Sequence, residues 1–210
     1  ITSGSDGERF WALCEDSEVV YDTPRSAFQR ALVRVDPDTG DLTTTALPTG
    51  TAARLFAVTD GARYVVTLEG RVLALDEGGA ITNEITIDEP LALGAIAAPG
   101  LGLFLTTEDH REIWLSPDLG TKRTRDSCST TDLLLGTPDG LLGRTPGPGL
   151  RPDEAGVSID FLMPVAAGTD AWEVDVVRQV RFPKAVLGVA WAPGRVFIAA
   201  EAALYTVTLP

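Results

Sequence analysis

Histidine is the scarcest functional side chain here, with His110 alone among 210 residues. A single imidazole excludes zinc sites built on several histidines and makes any Ser-His-Asp arrangement depend on one residue. Cys14 and Cys128 are the only cysteines, too few for a disulfide scaffold, leaving either one bridge or two partly buried thiols. Lysine is confined to Lys122 and Lys184, so nearly all of the 17 basic residues are arginine. Together with abundant Ala and Gly, that preference points to GC-rich coding and a bacterial source. No run reaches the roughly 18 apolar residues of a membrane span, so no membrane insertion is expected. Helical periodicity is nearly absent, and the best stretch, Ser26 to Val35, turns to strand-like alternation toward its end. Phosphate-cradling loops are missing too: Gly147 and Gly149 are flanked by proline, and no Gly-Lys-Ser/Thr follows. With no nucleophile elbow either, the sequence gives no catalytic group, no metal site and no cofactor.

What is present begins with acid. Thirty acidic residues against 17 basic ones give a net charge of −13. Such a surface repels a phosphate backbone and an anionic membrane, and attracts cationic partners. Hydrophobic residues make up 44%, enough to bury a core, and the length fits one domain over residues 1–210. The chain starts at Ile1 instead of Met, which leads us to expect that an upstream leader, tag or domain has been removed. The 21 glycines and 14 prolines are spread along the whole chain, as many short strands joined by tight turns require.

Those turns recur. An apolar hairpin appears as Leu55–Val58, Thr59-Asp60-Gly61, then Tyr64–Val66. It returns at Ala95–Ala97 with Gly100, at Leu133–Leu135 with Gly140, and at Val189–Trp191 with Gly194. The turn glycines Gly61, Gly100 and Gly140 keep a near-constant step, and only the step to Gly194 is longer. A degenerate first copy pairs Phe10–Leu13 with Val19–Tyr21. A second hairpin series interleaves with the same step, turning at Gly40, Gly79 and Gly120. Tight hairpin turns call for positive φ, which glycine adopts at little cost. Two turn series of one period define a unit of four strands and about 40 residues.

Four-stranded meanders at that period resemble the blades of the β-propeller superfamily over nearly the whole chain. The turn Asp36-Pro37-Asp38-Thr39-Gly40 is similar to the strand-linking turn of quinoprotein-like and YVTN-type propellers. Neither the tryptophan-docking pattern of quinoprotein repeats nor the Gly-His and Trp-Asp pairs of WD40 repeats occur, so the resemblance concerns architecture. It implies an all-β propeller of about five blades, at roughly 8–48, 50–90, 91–130, 131–183 and 184–210. The fourth is longer, with an inserted loop from Pro146 to Gly156. The last ends after its third strand, Leu204–Leu209, and the segment near Ile1-Thr2-Ser3 is expected to add its outer strand and close the ring.

Some five-bladed propellers are glycosidases, with paired carboxylates on inner strands. Here the inner strands are apolar, and Glu15, Asp16, Asp60 and Asp139 fall in turns that Asp favours for conformational reasons. Asp36, Asp38 and Asp41 lack the spacing of a calcium loop and read as a hairpin turn. The connections between second and third strands are richer. Arg30, Arg71 and Arg111 each open a third strand, and Glu69 and Glu108 precede two of them. His110 lies in the polar turn Glu108–Arg111, and Trp172, beside a polar turn, is expected to be an exposed anchor. These residues are the candidate binding set, on a loop-rich face. The expected function is non-enzymatic binding or scaffolding of a protein or peptide partner. The alternatives are a lectin-like or small-ligand (glycan) propeller and a propeller glycosidase.

Overall fold

The computed structural model describes residues 2–5, 8–15, 30–47, 51, 53–59, 61–89, 92–126, 132–146, 157–182, 186–192, 194–200 and 203–208. The described elements are all β-strands. The chain divides into two compact units, Ile1–Asp126 and Ser127–Pro210.

In the first unit, three antiparallel meanders follow one another. They are β1 (Thr2–Ser5) to β4 (Leu42–Ala46), by way of β2 (Phe10–Glu15) and β3 (Arg30–Val35); β5 (Ala53–Thr59), β6 (Ala62–Thr67), β7 (Arg71–Leu75) and β8 (Ile81–Thr86); and β9 (Ala92–Ala98), β10 (Gly102–Thr107), β11 (Arg111–Leu115) and β12 (Lys122–Asp126). Their first strands lie together, β5 against both β1 and β9. In the second unit, β13 (Asp132–Thr137), β14 (Gly140–Pro146), β15 (Val157–Ala167) and β16 (Ala171–Phe182) form a fourth meander. There β17 (Val186–Ala192), β18 (Arg195–Ala200) and β19 (Ala203–Thr208) form a three-stranded one. The extra length of the fourth repeat goes partly into β15 and β16, of 11 and 12 residues; the loop 147–156 lies outside the described residues.

The turn glycines behave as their chemistry requires. Gly61, Gly100, Gly140 and Gly194 take positive φ, as do Gly40 and Gly79. In the third copy of the second series Leu119 takes the left-handed conformation in place of Gly120, at φ 58°. The second sheet is packed on both faces, so alternate residues enter two cores. Tyr64, Val66 and Val72 meet Leu103, Leu105 and Ile113 of the third sheet. Val65, Leu73 and Leu75 meet Trp11, Leu13 and Leu32 of the first. This is why β6 and β7 read as unbroken apolar runs, while β4 and β8, outermost in their sheets, are exposed and polar. The first and second sheets also each hold the next one's outer turn: Thr45 Oγ1 donates to the Gly78 carbonyl and Tyr64 Oη to the Pro117 carbonyl.

Two sequence expectations are corrected at the first sheet. Thr2–Ser5 is that sheet's first strand, Gly4 standing opposite Trp11, and it does not extend the last sheet, whose described strands number three. Consequently Phe10–Glu15 is a second strand, paired with β1 and β3; Val19–Tyr21, expected as its hairpin partner, lies outside the described residues. The weakly apolar Thr-Ser-Gly-Ser run hid its strand character. Cys14 is half-buried on β2, and Cys128 lies outside the described residues.

Candidate functional site

Two turns of the first unit are built alike. β6 ends at Thr67 and β7 opens at Arg71; β10 ends at Thr107 and β11 opens at Arg111. Both threonines are fully buried. Each hydroxyl oxygen accepts the amide N–H of the arginine four residues on, at 3.1 Å in both turns. Each threonine carbonyl accepts from the fourth turn residue, Gly70 at 3.2 Å and His110 at 3.1 Å. That fourth residue must turn left-handed, and Gly70 and His110 do so at φ 79° and 62°. Gly70 has a second reason to be glycine: a Cβ there would come within 2.7 Å of the Ile87 carbonyl.

The turns thereby fix where the arginines emerge. Arg71 donates from Nε and a terminal nitrogen to both oxygens of Glu84 on β8, each at 2.7 Å. The guanidinium holds the Glu84 carboxyl below its ordinary range, and Glu84 in turn raises Arg71. Arg111 lies 3.3 Å from Asp109 and 3.7 Å from Asp126 on β12. The Asp109 carboxyl is lowered first by the Thr107 hydroxyl, which donates to it, and then by the charge of Arg111. Arg71 is bound by Glu84 of the neighbouring strand, while Glu69 and Glu108 stand exposed in the turns. Behind Arg111, Glu112 is buried with Arg125 as an ion pair.

His110 is exposed, with its backbone in the left-handed turn position. Arg30 opens β3 opposite Glu15, and the connection before it, residues 16–29, lies outside the described residues. Trp172 is a correction. At 1% exposure it is a core residue, since the second position of β16 turns inward opposite Ala166. Sequence reading missed Thr67, Thr107, Glu84 and Asp126. A signal existed for the threonines, as Thr-x-x-x-Arg occurs at Thr67 and again one repeat later at Thr107. The carboxylates on the outer strands carried no such mark.

Two cavities lie among the described residues of the second unit. One of about 150 Å³ is lined by Thr137, Asp139, Leu141, Phe161, Met163 and Val177. Another of about 130 Å³ lies among Leu134, Arg144 and Val186–Val189.

No family model and no curated protein matches the chain. Solved structures do. The chain is similar to the WD40 β-propeller domain of Doa1, at 13% identity and a TM-score of 0.46 over 98% of this chain and 77% of that one. KlAtg21, solved with the coiled coil of AgAtg16, gives 9% identity and a TM-score of 0.52 over 94% of this chain. YCF48 from Cyanidioschyzon merolae gives 11% and 0.50 over 98% of this chain. The last two are propeller proteins. The fold is that of a β-propeller. The chain spans 64% of the length of each of those two propellers. In propeller terms, the meanders are blades, and the paired turns join second to third strands of adjacent blades.

Proposed function

We propose that the chain is a non-enzymatic binding propeller of five repeats that recognises a protein or peptide partner through a basic segment. Its binding end is formed by the turns Thr67–Arg71 and Thr107–Arg111. The observation that carries this reading is the state of the two arginines. Both are occupied by carboxylates, so five acidic groups (Glu69, Glu84, Glu108, Asp109 and Asp126) surround two neutralised guanidinium groups. The result is an acidic surface on turns whose buried threonines are already bonded, which lowers the ordering cost of binding. A net charge of −13 adds long-range attraction for a cationic partner. KlAtg21, which shares the fold, is solved with a coiled coil.

Two observations weigh against the alternatives. The two cavities described in the second unit, of about 150 and 130 Å³, are each smaller than the roughly 300 Å³ at which small-ligand sites begin. Among the described first strands, β1, β5, β9 and β17 carry no carboxylate and β13 carries one, Asp132 at its start, whereas glycosidase chemistry needs two facing ones.

The test is capture from native extract with the tagged full chain as bait. A stoichiometric partner is expected, released by raising salt and lost with Glu69→Lys/Glu108→Lys, while Glu77→Lys at the opposite end of the second blade retains it. A double variant that captures as well as the parent, at an unchanged melting temperature, rejects the reading. So does substrate turnover by the purified protein.

A further inference from the structure

In the fourth blade the last hairpin outgrows the repeat. Leu141 of β14 pairs with Leu162 of β15, and from Met163 to Ala167 the partner of β15 is β16. Where that hairpin leaves the blade its register shifts. Phe161 stands opposite Arg178 and Leu162 opposite Val176, so Val177 is an extra residue in β16. A bulge of this kind interrupts pairing and re-aims side chains. Gly140 leaves further space at the same end of the blade. At φ 141° and against the Leu162 carbonyl, it has no room for a Cβ. The cavity of about 150 Å³ lies among these residues. Leu141, Phe161 and Leu162 are its buried walls, and Met163 and Val177, exposed at 37% and 57%, form its rim. Asp139 lines it from the turn and is exposed. Asp175, also exposed, stands directly opposite Met163 and shares its face of the hairpin. The turn itself is braced, since the buried Thr137 Oγ1 donates to the Gly140 carbonyl at 3.2 Å.

We infer that this cavity is a docking site for a peptide segment in which one apolar residue stands between two basic ones. The apolar side chain enters the cavity, and the flanking cations meet Asp139 and Asp175. Size and charge select this occupant. An apolar cavity of roughly 150 Å³ holds one benzene-sized group, the bulk of a single Phe or Leu side chain. The two carboxylates lie on either side of β15, one on the turn before β14 and one on β16. Strands β14 and β16 are two strand spacings apart, roughly 10 Å. Lys and Arg have stems long enough to reach both sides from the neighbours of a central anchor. Both carboxylates favour cations at the rim, as does the net charge of −13. The braced turn holds Asp139 and Gly140 in place before anything binds, which lowers the ordering cost. No residue of the turns Thr67–Arg71 and Thr107–Arg111 takes part, so this site stands or falls separately from the binding end proposed above.

The experiment is an amide NMR titration of the full chain with three end-blocked tripeptides, Lys-Phe-Lys, Ser-Phe-Ser and Lys-Ser-Lys. Lys-Phe-Lys is expected to shift the amides of Gly140, Leu162, Met163 and Val177 saturably. It is expected to bind at least about threefold more tightly than either of the other two. Asp139→Asn, at an exposed turn position, is expected to weaken Lys-Phe-Lys about threefold and to leave Ser-Phe-Ser unchanged. Val177→Lys removes an apolar rim and adds a like charge, and is expected to weaken Lys-Phe-Lys about tenfold or more. A spectrum otherwise like the parent's shows that each variant is folded, and Asp139→Asn keeps the test open if Val177→Lys is not. No shift at the cavity, or equal affinity for the three peptides, overturns the inference. Unchanged binding of Lys-Phe-Lys by Asp139→Asn overturns it equally. So do shifts confined to residues 68–71 and 107–111, which would assign the peptide to the acidic turns.

Discussion

The side chains of the proposed binding end are held by charge and hydrogen bonds, and two groups of the second blade are shifted in known directions. Glu84 is lowered from the ordinary glutamate value of 4.5 by Arg71. A depressed carboxyl contributes stability above its unfolded value, and that contribution is lost as pH falls through the folded one. Melting temperature measured from pH 7 downward is therefore expected to fall less steeply in Glu84→Gln than in the parent, below about pH 4.5. Equal slopes would show that the pair is fully screened. Tyr64 moves the other way, pushed up to about 12 by burial and, secondarily, by the charge of Asp118. Alkaline absorbance titration is expected to show a late phenol that Tyr64→Phe removes. Single residues were the least legible scale in the sequence. Arg71 and Arg111 could be placed because they follow turn signals, but Trp172 could not. Whether a residue near a strand start faces in or out depends on register, and one position reverses it.

Elements were more legible, because glycine and threonine constrain backbone conformation directly. The turns Thr67–Arg71 and Thr107–Arg111 allow a matched test of that constraint. Gly70→His imposes a Cβ against the Ile87 carbonyl in a left-handed position, whereas His110→Gly relieves one. Urea unfolding is expected to show a loss of about 2 kcal/mol or more for the first, and a neutral to stabilising effect of up to about 1 kcal/mol for the second. Opposite signs at equivalent places would establish that the turns are one structure. In the strands behind them, Leu73 is fully buried in the core between the first and second blades. Leu73→Ala is expected to cost about 2–5 kcal/mol in the same assay. What the sequence concealed at this scale was the first strand. Thr2–Ser5 has no apolar alternation to announce it, so its pairing with β2 is decided by the sheet and not by propensity.

For the whole molecule, the period carried the most information. Glycines recurring at one regular step implied four-stranded blades, and the propeller fold follows them without detectable relationship to any family model. Apolar strands buried on both faces made the core readable. The acidic turns remained ambiguous because a charged turn looks the same in sequence whether it is solvated or recognises a partner. Amide hydrogen exchange of the full chain, free and with its captured partner, decides between these most directly. New protection is expected at residues 68–71 and 107–111, and none at the turns around Gly61 and Gly100. Protection at Gly61 and Gly100, with Glu69 and Glu108 exchanging as in the free chain, would contradict a binding end built on the acidic turns.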